Sequence, residues 1–180
     1  RHLHLTEHSL PTRPSSALYR GPNIADLHAA ITAAIGALKG NLHGGAAEAT
    51  MNTLLEIGTL GQVDAFVDNA FATKRKIMGI GHRIYKHGDP RATHLLEWAR
   101  RMEQAQANGS EYVDMALGVE QAVLRHKELY PNVDFFSAPM LYYLGIPTDL
   151  DTCAFAISRV AGWSAHVIEQ YKDATLIRPG

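Results

Sequence analysis

The sequence predicts an all-α protein. Two observations carry this: apolar residues recur at helical spacing nearly throughout, and no segment alternates apolar and polar residues between hairpin turns. From Asn23 to Lys39, Ile24, Leu27, Ile31, Ile35 and Leu38 form one stripe of an amphipathic helix, and Gly40 stands where a stop belongs. A second helix reads from about Gly45 to Ile57 and a third from about Val63 to Lys74, with Gly58 and Gly61 punctuating the join. A glycine-spaced loop follows, GIGHRIYKHGDP, from Gly79 to Pro90. Helix resumes over about Ala92 to Ala107 and stops at Asn108-Gly109. Ser110 and Glu111 open another helix to about Leu129, closed before Pro131. The last long helix runs from near Thr148, a suitable cap, to about Lys172, while Pro11 to Pro22 reads as loop.

Composition narrows the class of function. Hydrophobic residues make up 46% of the 180 and charged residues 19%, ordinary for a globular chain of one domain or parts of two. A net charge of -1 gives no electrostatic reason to expect nucleic acid or an anionic membrane as partner. No apolar run approaches the roughly 20 residues that span a bilayer. The single cysteine, Cys153, excludes an intramolecular disulfide and favours a reducing compartment. The chain opens on Arg1, which is read as part of a longer protein.

Ten histidines invite chemistry. His2, His4 and His8 would make a metal site only if the backbone gathered them, and no second ligand cluster supports one, so no metal is expected. His28, His94, His126 and His166 fall on helices and suit surface or core roles. His43, in LKGNLHGGAAE, sits between a helix that stops and one that starts. The positive end of a helix disfavours the imidazolium, leaving a neutral ring able to donate to a carbonyl oxygen. The same residues also suit a plain helix–helix corner. His82 lies in the glycine-spaced loop with Arg83, Lys86 and Arg91 nearby, a place for an anionic ligand or simply a basic surface loop. Asp134 stands among Val133, Phe135 and Phe136, where poor solvation would strengthen it as a base, unless it is a helix cap. Arg159 interrupts the apolar run CAFAISRVAGW, and burial there would call for an anion, substrate or carboxylate.

Taken in order, KGNLHGGAAE, GIGHRIYKHGDPR, NVDFFSAP, GIPTD, ISRVAGWSAHVIEQ and LIRP resemble the citrate synthase and 2-methylcitrate synthase family over about Ile24 to Pro179. The resemblance implies an all-helical, dimeric enzyme with a large domain and a small domain that closes over the substrates. On that basis 1–43 and 139–180 are parts of the large domain and 44–138 is the small, coenzyme A-binding domain. It further implies an acyltransferase with three catalytic residues. His43 holds the acetyl-CoA thioester carbonyl, Asp134 removes a methyl proton, and His82 polarises the oxaloacetate ketone. Citryl thioester hydrolysis then yields citrate and coenzyme A. Arg91, Arg159, Arg178 and His8 would bind the dicarboxylate, with Arg178 reaching the other subunit of a homodimer. The backbone at Ile80 and Gly81, with Lys86, would meet coenzyme A. Acetyl-CoA or propionyl-CoA is a co-substrate, with no permanently bound cofactor, and the bacterial or archaeal cytoplasm or a mitochondrial matrix is the setting.

After His8 the chain departs from the family, with Leu10-Pro11-Thr12-Arg13-Pro14 where an asparagine and a Ser/Thr-rich stretch are usual. Within the same chemistry, propionyl-CoA would make the product 2-methylcitrate, and a citryl-CoA-cleaving lyase domain is a third form. A non-catalytic coenzyme A-binding or dimerisation module is the competing class. A bare scaffold, however, has no physical need of His43, His82, Asp134, Arg91 and Arg159 together.

Overall fold

The computed structural model describes residues 26–40, 44–106 and 111–173. Seven α-helices are among them: α1 (Leu27–Leu38), α2 (Ala46–Ile57), α3 (Val63–Ala72), α4 (Pro90–Gln104), α5 (Tyr112–His126), α6 (Val133–Tyr143) and α7 (Asp151–Asp173). Short 3₁₀ turns at Leu60–Gln62 and Thr148–Leu150 precede α3 and α7. Among the described residues the β-type pairing is one antiparallel bridge, Ile80 with Pro131. The all-α expectation holds.

Helix ends follow local chemistry. Asp26 caps α1 by accepting from the Ala29 N–H at 2.9 Å. α4 begins two residues before the expected Ala92, because Asp89 caps it and Pro90 occupies its first turn, where a missing N–H does no harm. Thr148 opens a 3₁₀ turn instead of capping α7. α5 ends at His126, three residues before the expected Leu129, where Lys127 turns extended.

α6 was not expected from periodicity. Its sequence, VDFFSAPMLYY, buries Phe135, Phe136, Ser137, Ala138, Pro139, Leu141 and Tyr143, which leaves no polar face to mark a stripe. Pro139, inside the helix, argues further against it by rule. Tertiary packing overrides both signals, because α6 lies against α4 and α2.

The chain divides into two compact units, Gly45–Asp151 and Arg1–Gly44 with Thr152–Gly180. The first holds α2 to α6, with α3 packed on α5 and α6 on α4 and α2. Its core includes Met51, Leu54, Val67, Val113, Val119, Val123 and Phe135, all fully buried. Each such side chain contributes about 1.5–3 kcal/mol of transfer free energy. Glu103 finishes the start of α5 from a neighbouring helix: its Oε1 accepts from the Val113 N–H at 3.0 Å and the Tyr143 hydroxyl at 2.8 Å. That hydroxyl oxygen accepts from the Tyr112 N–H at 3.0 Å, so two amides without intrahelical partners are satisfied.

In the other unit, α1 buries Ala30, Ala34 and Leu38, whereas Ile35 of the expected stripe stands 46% exposed. Gly44 folds back onto α1, its N–H donating to the Leu38 carbonyl at 3.0 Å, and a Cβ there would lie 2.1 Å from that oxygen. The Thr152 hydroxyl donates to the Gly44 carbonyl at 2.8 Å. Along α7, Val167 is buried while Ile157, Val160 and Ile168 face outward.

Candidate active site

The His82 loop is built against the start of α6. Gly79 and Gly81 both take positive φ, +77° and +86°, which a side chain would strain. Gly79 is also packed shut: a Cβ would meet the Thr50 hydroxyl at 2.7 Å and the Phe135 ring and Cα at 2.9 and 3.0 Å. The Gly81 N–H donates to the Tyr130 carbonyl at 2.7 Å, and the Asn132 N–H donates to the Gly79 carbonyl at 2.9 Å. These bonds carry the chain past Ile80, half-buried at the bridge, and deliver it to His82.

The His82 ring is set by its own loop. Nδ1 accepts from the backbone N–H groups of Ile84 at 3.1 Å and Tyr85 at 3.2 Å. An accepting Nδ1 leaves Nε2 to carry the proton of the neutral ring. Burial lowers the pKa below the ordinary histidine range; the Arg91 and Lys86 charges add to the fall and Asp89 opposes it. The result is a neutral imidazole that donates from Nε2. The Tyr85 ring packs 4.7 Å from it, and Arg91 lies over Tyr85 with its guanidinium carbon 5.6 Å from the ring centre.

Asp134 sits in the first turn of α6, not at its cap; Asn132 is the cap, its Oδ1 accepting from the Asp134 N–H at 2.9 Å. Burial drives the Asp134 carboxyl up to about 6, with the Arg91 charge pulling it down and Asp89 pushing it up. A carboxylate with that affinity for protons is a stronger base than a solvated one, and it is still ionised at neutral pH.

Arg91 and Asp89 link the two. The guanidinium makes a bidentate pair, Nε to Oδ1 at 2.9 Å and Nη2 to Oδ2 at 2.7 Å, and Oδ1 also accepts from the Arg91 N–H at 3.0 Å. The Asp89 side chain is wholly buried while that of Arg91 is about one-third exposed, so a cation is presented on a hidden anchor. Burial alone would raise the Asp89 carboxyl, but its bonds to Arg91 outweigh this and hold it below the carboxylate range.

Lys86 is exposed, and its Nζ donates to the His82 carbonyl at 3.3 Å. Arg159, in the other unit, is half-buried rather than enclosed; its guanidinium runs along its own helix, Nη1 3.6 Å from where a Cβ on Gly162 would stand. His8, His43 and Arg178, like His2 and His4, lie outside the described residues. Among the described residues no group of three or more His, Cys, Asp or Glu side chains is arranged to hold a metal, and no helix is long and apolar enough to cross a membrane.

The sequence reading missed Asp89, Tyr85 and Asn132. Asp89-Pro90 carries a helix-start signature that marks the aspartate as a cap. Nothing local marks Tyr85 or the second role of Asn132, since both depend on loop geometry.

A neutral histidine donor, a carboxylate kept basic by burial and an anchored arginine thus lie in one compact unit, Gly45–Asp151. The family model of the citrate synthase C-terminal domain matches residues 6–180, and the chain belongs to that family. It is 46% identical over 173 residues to citrate synthase 2 of Bacillus subtilis, covering 96% of this chain and 46% of that protein. It is 41% identical to 2-methylcitrate synthase 2 of Corynebacterium glutamicum, covering 96% and 45%. Among solved structures it is similar to Thermoplasma acidophilum citrate synthase in ternary complex with carboxymethyl coenzyme A and oxaloacetate. The TM-score is 0.84 and the identity 37%, over 97% of this chain and 48% of that one. The chain thus spans about half the length of these relatives.

Proposed function

We propose that this protein condenses an acyl-CoA with oxaloacetate, giving citrate and free coenzyme A. Asp134 takes a proton from the acyl methyl group while His43 donates to the thioester oxygen. The enol(ate) carbon forms the new bond to the ketone carbon of oxaloacetate. The ketone oxygen takes up a proton from His82 Nε2, and water then cleaves the thioester to release the thiol. The observation that carries this reading is the fixed state of His82. Two backbone donors on Nδ1 make it a hydrogen-bond donor through Nε2, in the same unit as a carboxylate kept basic by burial.

Arg91, through the guanidinium donors that Asp89 does not engage, binds the carboxylates of oxaloacetate together with Arg159, Arg178 and His8. Ile80, Gly81 and Lys86 contact coenzyme A, which enters as a co-substrate. Residues 44–138 act as the small, closing domain, and 1–43 and 139–180 belong to the large one. The working form is a homodimer in a bacterial or archaeal cytoplasm, with Arg178 acting across the subunits. The outward apolar residues of α7, Ile157, Val160 and Ile168, favour a helical partner there.

A second reading is 2-methylcitrate synthesis from propionyl-CoA, favoured by the similarity to the Corynebacterium enzyme. One methylene in an acyl pocket is worth only about 1–3 kcal/mol, so a few pocket residues decide between the two.

The test is release of free thiol from acetyl-CoA and from propionyl-CoA, each with and without oxaloacetate, with Asp134→Ala as control. Oxaloacetate-dependent release that vanishes in the control is expected, and the faster donor identifies the acyl group. No release from either donor would overturn catalysis by this chain alone and favour a non-catalytic, coenzyme A-binding role.

A further inference from the structure

We propose that Asn132 is a positioning residue that holds the His82 loop and Asp134 in register through its two amide ends; what this register serves rests on the condensation reading above. The Asn132 Oδ1 accepts from the Asp134 N–H at 2.9 Å, which fixes the first turn of α6. Its Nδ2 donates to the carbonyl of Gly81 at 2.9 Å, the residue immediately before His82. Its backbone N–H donates to the Gly79 carbonyl at 2.9 Å, and its carbonyl accepts from the Phe135 N–H at 3.2 Å. The amide orientation follows from these partners, since the nitrogen meets a carbonyl and the oxygen meets an N–H.

Capping alone does not require asparagine. Aspartate and serine cap helices about as well. Aspartate, however, offers only acceptors, so it would oppose the Gly81 carbonyl instead of binding it. Serine is too short to reach both partners. Asparagine is the helix-capping side chain that can clasp the loop as well as start the helix. One side chain therefore ties the base-bearing helix to the residue before His82, alongside the backbone bonds that join the same two segments.

The variants Asn132→Asp and Asn132→Ser keep the cap and lose the side-chain bond to the Gly81 carbonyl, whereas Asn132→Ala loses both; the backbone bonds from Gly81 to Tyr130 and from Asn132 to Gly79 remain in all three. The His82 ring is read by nitrogen NMR of ¹⁵N-histidine-labelled protein, with His82→Gln assigning the signal. Thermal melting and far-UV circular dichroism report the fold. Wild-type protein should show one neutral tautomer, protonated at Nε2, across neutral pH. Asn132→Asp should retain helix content yet give mixed tautomers and a histidine that titrates closer to the ordinary range. Amide exchange at Ile84 and Tyr85 should quicken while the Val119 and Val123 amides stay protected. Where thiol release is measurable, kcat should fall about 10- to 100-fold, with a smaller change in the acyl-CoA KM.

A wild-type His82 signature and exchange rate in both Asn132→Asp and Asn132→Ser would overturn the proposal and leave Asn132 a helix cap only. Equal loss of core protection and loop protection in both would also overturn it, as a purely structural role. The NMR readout needs no turnover. A chain that releases no thiol thus counts against the condensation reading, while an unchanged ring counts against the role of Asn132.

Discussion

The Arg91 guanidinium is held by Asp89 through two parallel hydrogen bonds, 2.9 and 2.7 Å, with the aspartate side chain buried and the arginine partly in solvent. Removing the anchor should free the guanidinium without removing its charge. Asp89→Asn is expected to raise the oxaloacetate KM about 10-fold and change kcat less, measured by thiol release at varied oxaloacetate. Arg91→Lys, which keeps the charge but loses the fork, should cost as much or more.

Asp134 should appear in the pH–rate profile. The base must be ionised, and burial places its pKa at about 6, so kcat/KM should fall roughly tenfold per pH unit below that value. Asp134→Asn should lower kcat by about 10²–10⁴-fold at every pH and abolish that limb. An acid limb retained in the variant would assign it to another group.

Asp151 is a second buried carboxyl, 1% exposed, and neither oxygen has a hydrogen-bond partner among the described residues. Burial pushes it up to about 6, and the neighbouring Glu48 and Asp149 charges push the same way. A carboxyl raised on folding supports the fold fully below its unfolded pKa, near 3.8, and loses that support as pH rises through about 6. Asp151→Asn, which mimics the protonated form, should therefore raise Tm by a few degrees at pH 8 and by nothing measurable near pH 4. Melts at both pH values decide it.

Gly79→Ala should be among the most damaging single-methyl additions. It combines a positive φ with contacts under 3.0 Å to Thr50 and Phe135. Strain and overpacking of this kind cost about 2–4 kcal/mol together. Urea unfolding of Gly79→Ala against Gly81→Ala separates the two effects. Gly81 shares the positive φ, but its nearest Cβ contact is an ordinary 3.7 Å, so it should lose less.

Ile157 is 75% exposed on α7. If this face meets a second copy, Ile157→Asp should shift wild-type self-association toward monomer in analytical ultracentrifugation. The variant should leave the melt of the Gly45–Asp151 unit in place. Unchanged sedimentation would place the interface elsewhere.

Much of this architecture was legible because its signals are local. Helices α2, α3 and α5 carry a polar face, and their extents follow from it to within a few residues. α6 did not announce itself because it is apolar on nearly every side and contains Pro139. The site residues divide along the same line. His82 and Asp134 stand out within their segments, whereas Arg91 is marked only as positive charge near the loop and by the family resemblance. Asp89 and Asn132 look like ordinary caps, and their further roles exist only once Arg91 folds back and the Gly81 carbonyl arrives from a distant segment. Of the described α1 stripe, Leu27, Ile31 and Leu38 lie toward the buried side and Ile35 alone stands out, because the buried face runs through the small residues 30 and 34.

The clasp between Gly81 and Asn132 joins positions 51 apart in sequence. Between them the chain must complete α4 and α5 before the two ends can meet, and loop closure over that length is entropically unfavourable until the intervening helices have packed. The clasp is therefore expected to form no earlier than the packing of α4 and α5. Helix content should recover early in a refolding experiment and the His82 signature last, so a chain emerging from the ribosome would have its scaffold before it had its chemistry.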